Sequence, residues 1–271
     1  WHLEHARNFV LDKSTDMSKT CELTKAAKSG GSLVLAQLSH AGRQTPKAIN
    51  PDPLSISNLK LDLEGYGQPR MASDKDFSEL IEKFSTSAKL AQECGFDGVE
   101  IHAAHGYLLS SSLSPRINNR KDKWGGSFEN RARLLQLILQ KVRASVGNNF
   151  ILAVKINSSD FQKGGLEISD SVKIANLIEK ENIDFIEVSG GNFEAPEAYQ
   201  YVSLKESTKS REAYFLDAAK NIKASVSIPI MVTGGFRSIS VMEEALSSSA
   251  TDLIGIGRPF IIDPSFPYKL L

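Results

Sequence analysis

Short apolar runs rich in β-branched residues alternate with longer amphipathic stretches along almost the whole chain. The runs are LVLAQL at Leu33–Leu38, DGVEIH at Asp97–His102, FILAVKI at Phe150–Ile156, DFIEVS at Asp184–Ser189, IPIMVT at Ile228–Thr233 and DLIGIG at Asp252–Gly257. Each has the length of a strand, and both faces read as apolar, as in parallel strands covered on two sides. Between them, Phe77, Leu80, Ile81, Phe84, Ala88 and Ala91 recur at spacings of three and four, with Glu79, Glu82, Lys83 and Lys89 on the other face. That spacing predicts a helix with one buried side. Leu135, Ile138, Leu139, Val142 and Val146 repeat it, as do Phe215, Ala218, Ala219 and Ile222. Ser240 with Glu243 reads as a capping box opening a helix through Met242 and Leu246, and Gly95 stops the Phe77 helix just before the next strand. Strand and helix alternating in this way predict an α/β fold, a TIM-type (β/α)8 barrel of which about six of the eight strands are found.

Two segments depart from the alternation. Thr45–Asp74 is rich in Pro, Ser, Asn and Gly and reads as a functional loop folded over one end of the barrel; Ser110–Ser127 reads as a second long loop. No repeat, low-complexity tract or domain boundary interrupts residues 1–271, so one barrel domain is expected.

Composition narrows the function. The chain has 271 residues, and 32 basic side chains cancel 32 acidic ones, which removes the electrostatic argument for nucleic acid or an anionic membrane. No run approaches the roughly 20 apolar residues of a membrane span, and the opening WHLEHARNFVLDK lacks an apolar signal core. Cys21 and Cys94 lie far apart outside any Cys-x-x-Cys spacing, which predicts neither a disulfide framework nor a cysteine zinc site and points to a reducing, cytoplasmic setting. The chain begins at Trp1 rather than Met, so a fragment or processed product is expected.

Barrel enzymes place their chemistry at the carboxyl ends of the strands. Gly234-Gly235 and Gly257-Arg258-Pro259 end the last two runs. Glycines let the backbone approach an anion and arginine supplies charge, so the pair of turns reads as a phosphate site, although either alone equally suits a plain turn. His102, His105 and Tyr107 follow the second run. A single histidine there suits a structural role; two with a tyrosine suit imidazoles that stabilise negative charge on a substrate oxygen and a phenol that gives a proton. No third ligand at metal spacing accompanies them, so no metal is expected. Gln37 can present a donor and an acceptor to a planar heterocycle. Lys155 fits an ammonium beside such a ring and equally a buried lysine paired with Glu100 or Glu187.

These stretches resemble the old yellow enzyme family, the NADH:flavin oxidoreductases, in its His-His-Tyr branch. The resemblance rests on QLSHAGRQ at 37–44, GFDGVEIHAAHGYLLSSSLSPRINNRKDKWGGSFENRARL at 95–134, VKINSSDFQKGG at 154–165, EVSGGNFE at 187–194, VTGGFRS at 232–238 and GIGRPF at 255–260. It implies a βα barrel holding FMN, with Gln37 on the pyrimidine side and Lys155, where many relatives have Arg, beside N1 and O2. It further implies that Gly234, Gly235, Gly257 and Arg258 hold the phosphate, that His102 and His105 bind the substrate carbonyl, and that Tyr107 protonates its α-carbon. The implied reaction takes hydride from NADH or NADPH and reduces activated alkenes such as enones. Ser111 and Ser112 stand where the motif usually has Gln and Phe, and Trp124 where it usually has Tyr, changes expected to loosen a loop. The family also carries an amino-terminal segment with two further strands and continues beyond Arg258, so the chain is expected to be truncated at both ends. Open barrel edges invite association, hence a homo-oligomer, and hence a second expectation: an inactive relative acting as an interaction or regulatory polypeptide. An aldolase or isomerase with Lys155 as nucleophile leaves the His-His-Tyr loop and Gln37 without tasks.

Overall fold

The computed structural model describes residues 2–195 and 212–270. Six parallel strands form one sheet in sequence order: β1 (Leu35–Leu38), β2 (Gly98–Ala103), β3 (Ile151–Asn157), β4 (Phe185–Ser189), β5 (Ile230–Thr233) and β6 (Leu253–Gly255). All six predicted runs are strands. Helices α1 (Met17–Lys28), α2 (Asp74–Glu93), α3 (Leu108–Leu113), α4 (Phe128–Val146), α5 (Ile168–Glu179), α6 (Leu216–Lys223) and α7 (Ile239–Ser247) precede, separate and link them, and α8 (Arg258–Ile262) and α9 (Phe266–Leu270) follow β6. Among the described residues the sheet is open, with β1 and β6 as its outer strands.

The strands are apolar on one face only. Val99, Ile101, Leu152, Val154, Ile156, Ile186, Val188, Ile230 and Val232 are fully buried. Period-two alternation turns them to one face, where they join the core with the apolar sides of α2, α4, α5 and α6. The intervening positions on the opposite face include Gln37, Glu100, His102, Lys155, Asn157, Glu187 and Ser189, together with Ala153 and Met231. This corrects the expectation of strands apolar on both faces: the inner face is a polar surface, and short apolar runs concealed it because each contains only one or two such residues.

A repeated device ties the amino ends of the strands. Asp97, Asp184 and Asp252 each stand just before a strand and accept the backbone N–H of the preceding one, from Val34, Leu152 and Ile230 at 2.8, 2.7 and 2.9 Å. Each also pairs with a basic side chain from the helix that leads into that preceding strand, namely Lys28, Arg143 and Lys223. The same carboxylate therefore sets strand register and helix position, and it does so at the face opposite the candidate chemistry.

Three further expectations are corrected. The N-cap of α7 is Ser238, two residues earlier than Ser240, and Glu212 rather than a Ser-Glu box accepts the N–H groups of Arg237 and Ser238 at 3.0 and 2.9 Å. The segment 110–127 is not wholly loop, since α3 runs through Leu113, with Ser111 and Ser112 buried and bonded back to Gly106 and Leu109 carbonyls. Trp124 likewise anchors its loop, packing 4.2 Å from the Phe77 ring centroid and donating to Asp74 at 2.5 Å. Finally, α1 lies against the end of α2, and Cys21 and Cys94 form a disulfide across 73 residues with Cα atoms 4.4 Å apart. Local spacing carries no trace of that pairing, which tertiary packing creates, and the reducing setting inferred from unpaired cysteines loses its premise. No helix among the described residues is long and apolar enough to cross a membrane.

Candidate active site

The polar inner face leads to the carboxyl ends of the strands, and the pairing places its residues side by side: Gln37 opposite Glu100, His102 opposite Lys155, Lys155 opposite Glu187, Asn157 opposite Ser189. The turn after β2 then brings the histidines and tyrosine together. His105 has φ 61°, in the left-handed region, and Gly106 follows at φ 80°. A Cβ on Gly106 would fall 2.4 Å from Gln44 Oε1, so only glycine lets this turn pack against the first loop. The rings of His102 and His105 meet edge to face at 5.1 Å, and those of His102 and Tyr107 at 4.9 Å.

Each ring is oriented. His102 Nδ1 accepts the Ala104 N–H at 3.2 Å, which leaves its proton on Nε2. His105 Nε2 lies 2.8 Å from Ser189 Oγ, and its backbone N–H donates to Asn157 Oδ1 at 3.0 Å. Burial, reinforced by His105 and then Lys155, holds His102 well below the ordinary histidine range. Burial and then Lys155 lower His105 to about 4, with Glu187 opposing. Both rings are neutral near pH 7, as hydrogen-bond donors to a substrate oxygen should be.

That neutrality predicts a pH dependence. Below about pH 6.5 the unfolded chain binds protons at these imidazoles, while folded His105 stays neutral down to about 4. The unfolded state then holds more protons, so stability falls as pH drops through this window. Urea midpoints at pH 7.5 and 5 measure it, and a His102→Asn, His105→Asn chain is expected to lose part of the difference, the rest belonging to His2 and His40, which burial also holds below the ordinary histidine range.

The cavity at this end has a volume of about 240 Å³ and is lined by Gln37, Ser39, His102, His105 and Tyr107, and by His2, Leu3, Glu4 and Phe9 from the amino-terminal segment. The last four were not legible in the sequence; they belong to no motif and reach the site only because the Ala41 N–H binds the His2 carbonyl at 3.1 Å and His2 stacks on His40 at 4.4 Å.

Lys155 donates to Glu187 at 2.6 Å, and Gln37 donates to Glu100 at 2.5 Å. The lysine is thus both on the inner face, near the histidines, and paired with a carboxylate, so the two readings of it coexist. Gly234 and Gly235 lie after β5 with φ 150° and 81°. A Cβ on Gly235 would fall 2.7 Å from the Tyr214 ring, whereas one on Gly257 after β6 would meet nothing within 4 Å. Arg258 opens α8 and is exposed. Buried or half-buried arginines elsewhere hold carboxylates, as Arg43 holds Glu194 and Arg143 holds Asp184, but among the described residues Arg258 has no carboxylate partner. No group of three or more metal-binding side chains occurs among the described residues.

With this arrangement in view, similarity to known proteins is informative. A model of the "NADH:flavin oxidoreductase / NADH oxidase family" matches residues 6–271. An NADH-dependent flavin oxidoreductase of Aspergillus parasiticus is 38% identical over 257 residues, covering 92% of this chain and 56% of that protein. An NADPH dehydrogenase of Clostridium acetobutylicum is 33% identical over 245 residues, covering 90% of this chain and 68% of that protein. The solved 2-naphthoyl-CoA reductase in complex with 2-naphthoyl-CoA superposes with a TM-score of 0.91 at 27% identity, over 99% of this chain and 42% of that one. The chain therefore spans about half the length of such relatives. Matched along nearly its whole length and built on the same parallel α/β scaffold, this chain belongs to the NADH:flavin oxidoreductase / NADH oxidase family.

Proposed function

We propose that the chain binds FMN at the carboxyl ends of its strands and uses it to reduce activated alkenes, α,β-unsaturated carbonyl compounds, at the expense of NADH or NADPH. The observation that carries this reading is the meeting of two neutral imidazoles and a phenol within one buried cluster beside Lys155. The donor set fits the cofactor: Gln37 and Lys155 suit the pyrimidine edge of a planar heterocycle, while the open turn at Gly257 and an arginine without a carboxylate partner among the described residues suit a phosphate. When bound, FMN supplies the hydride chemistry.

The protein's own groups orient and polarise. His102, with its proton on Nε2, and His105 hydrogen-bond the carbonyl oxygen of the acceptor and stabilise the negative charge that grows there. Tyr107 gives its phenolic proton to the α-carbon. Gly234, Gly235, Gly257 and Arg258 hold the phosphate in place. The substrate is a small molecule; with zero net charge the chain offers nucleic acid or an anionic membrane no overall electrostatic attraction.

The test is to load the purified chain with FMN, desalt it, and follow NADH or NADPH oxidation with an enone present. Retained yellow colour and enone-dependent turnover support the reading; a colourless chain with neither supports the inactive, interacting polypeptide instead. Given turnover, His102→Ala is expected to lower enone reduction by roughly 10²–10³-fold, the usual effect of removing one oxyanion donor, read as initial rates at saturating nicotinamide.

A further inference from the structure

Two carboxylates, Glu100 and Glu187, lie on the inner face directly beneath the candidate flavin site, and neither has a place in the proposed chemistry. Both side chains are buried, at 7% and 6% exposure. They project from β2 and β4, on either side of β3, and the β3 residue level with Glu100 is Ala153. A methyl group there leaves a gap between the two carboxyl groups, and each acts on the ionisation of the other. Two ionised carboxylates cannot occupy such a gap, since mutual repulsion adds to the cost of burial. One keeps its proton.

The partners decide which one. Glu187 accepts from the Lys155 ammonium at 2.6 Å, and that cation favours its ionised form. Glu100 accepts from the neutral Gln37 amide at 2.5 Å, and burial followed by Glu187 pushes its carboxyl up out of the ordinary range. The result is one chain of groups across four strands: the Gln37 amide gives to Glu100, Glu100 acts on the ionisation of Glu187, and the Lys155 ammonium gives to Glu187 from the other side. The charges facing this chain are Lys155 and, when protonated, His105. At neutral pH the four groups sum to zero. Both ends of the chain are the two residues proposed to face the pyrimidine edge of FMN.

We propose that Glu187, buried beside Glu100 and 2.6 Å from Lys155 Nζ, is a positioning residue that fixes the Lys155 ammonium at the flavin edge and offsets its charge, setting how strongly the site favours a negative ring. This rests on the FMN reading above and adds what that reading lacks, a reason for a buried acid pair beneath the cofactor. Without the carboxylate the lysine charge would act on the ring unopposed.

The test is the midpoint potential of bound FMN, titrated against reference dyes in the unsubstituted chain, Glu187→Gln and Glu187→Asp. Removing the compensating charge is expected to favour the reduced over the oxidised cofactor about tenfold, which for a two-electron couple reads as about +30 mV; Glu187→Asp, which keeps the carboxylate, is expected to stay near the original value. A folded Glu187→Gln chain whose potential is unmoved overturns the inference and leaves the FMN reading standing, whereas failure of the unsubstituted chain to bind FMN overturns both. The proton on Glu100 is checked without cofactor or misfolding risk in the infrared spectrum of the unsubstituted chain at neutral pH. A buried carboxylic-acid C=O band is expected there, lost in Glu100→Gln, and its absence in the unsubstituted chain overturns the pair.

Discussion

A Tyr107→Phe chain is expected to reduce enones roughly 10²–10⁴-fold more slowly than the unsubstituted chain, the usual contribution of a positioned general acid, while its FMN is still reduced by nicotinamide at nearly the original rate. The substitution removes the phenolic oxygen and keeps the ring. Phenylalanine keeps the ring contacts that hold this position, edge to face with His102 at 4.9 Å and with Phe193 at 6.0 Å. It also keeps the backbone geometry, because the Tyr107 carbonyl starts α3 by accepting the Ser111 N–H at 2.7 Å. The separation of effects follows from where the proton goes: the phenol serves the α-carbon of the acceptor, and nothing at this position serves hydride delivery to the cofactor. Stopped-flow measurement of each half-reaction reads the two rates independently. Equal slowing of both, or loss of bound FMN, would contradict the role given to Tyr107.

Arg143→Met is expected to destabilise the scaffold by about 1–3 kcal/mol, the cost of leaving acceptors without their donor. The Arg143 side chain lies in the last turn of α4 and is 10% exposed. It donates to the carbonyls of Asn182, Gly147 and Phe150 at 2.9, 2.9 and 2.8 Å, and to Asp184 at 2.7 Å. Methionine fills the volume and satisfies none of them. Three carbonyls and a carboxylate that also fixes the Leu152 N–H then lose their donor together. The comparison is Lys141→Met, which removes an ion pair with Glu82 whose side chains are 44% and 64% exposed; exposed pairs contribute about 0–1 kcal/mol. Urea denaturation of the two chains reads the difference directly, and equal losses would mean that the strand-end device carries no special weight.

The same two cases show what could be read from the chain before its structure. Strand and helix positions were legible because each apolar run and each helical face is contiguous and periodic: Val99 and Ile101 in one strand, Leu135 to Val146 along one helix face. His102, His105 and Tyr107 were legible because six consecutive residues carry all three. Features built from distant residues were not legible. Asp184 precedes a strand like any polar residue, and only the fold brings Arg143 from 41 positions away to meet it. Cys21 and Cys94 meet only when α1 docks on α2. Lys155 offered two readings because sequence does not say whether a carboxylate and a ligand compete for it; register does, placing Glu187 on its own level. The polar inner face went unnoticed for the same reason, since Gln37, Glu100, Lys155 and Glu187 sit one per strand and align only across the sheet.

The central claim is that the carboxyl ends of these six strands form an FMN site, and equilibrium binding tests it most directly. Titrating FMN with the chain and following quenching of flavin fluorescence is expected to give saturable binding at one site, weakened in Arg258→Ala through loss of the phosphate contact and restored in part by Arg258→Lys. Absence of saturable binding, or binding that Arg258→Ala leaves untouched, would contradict it.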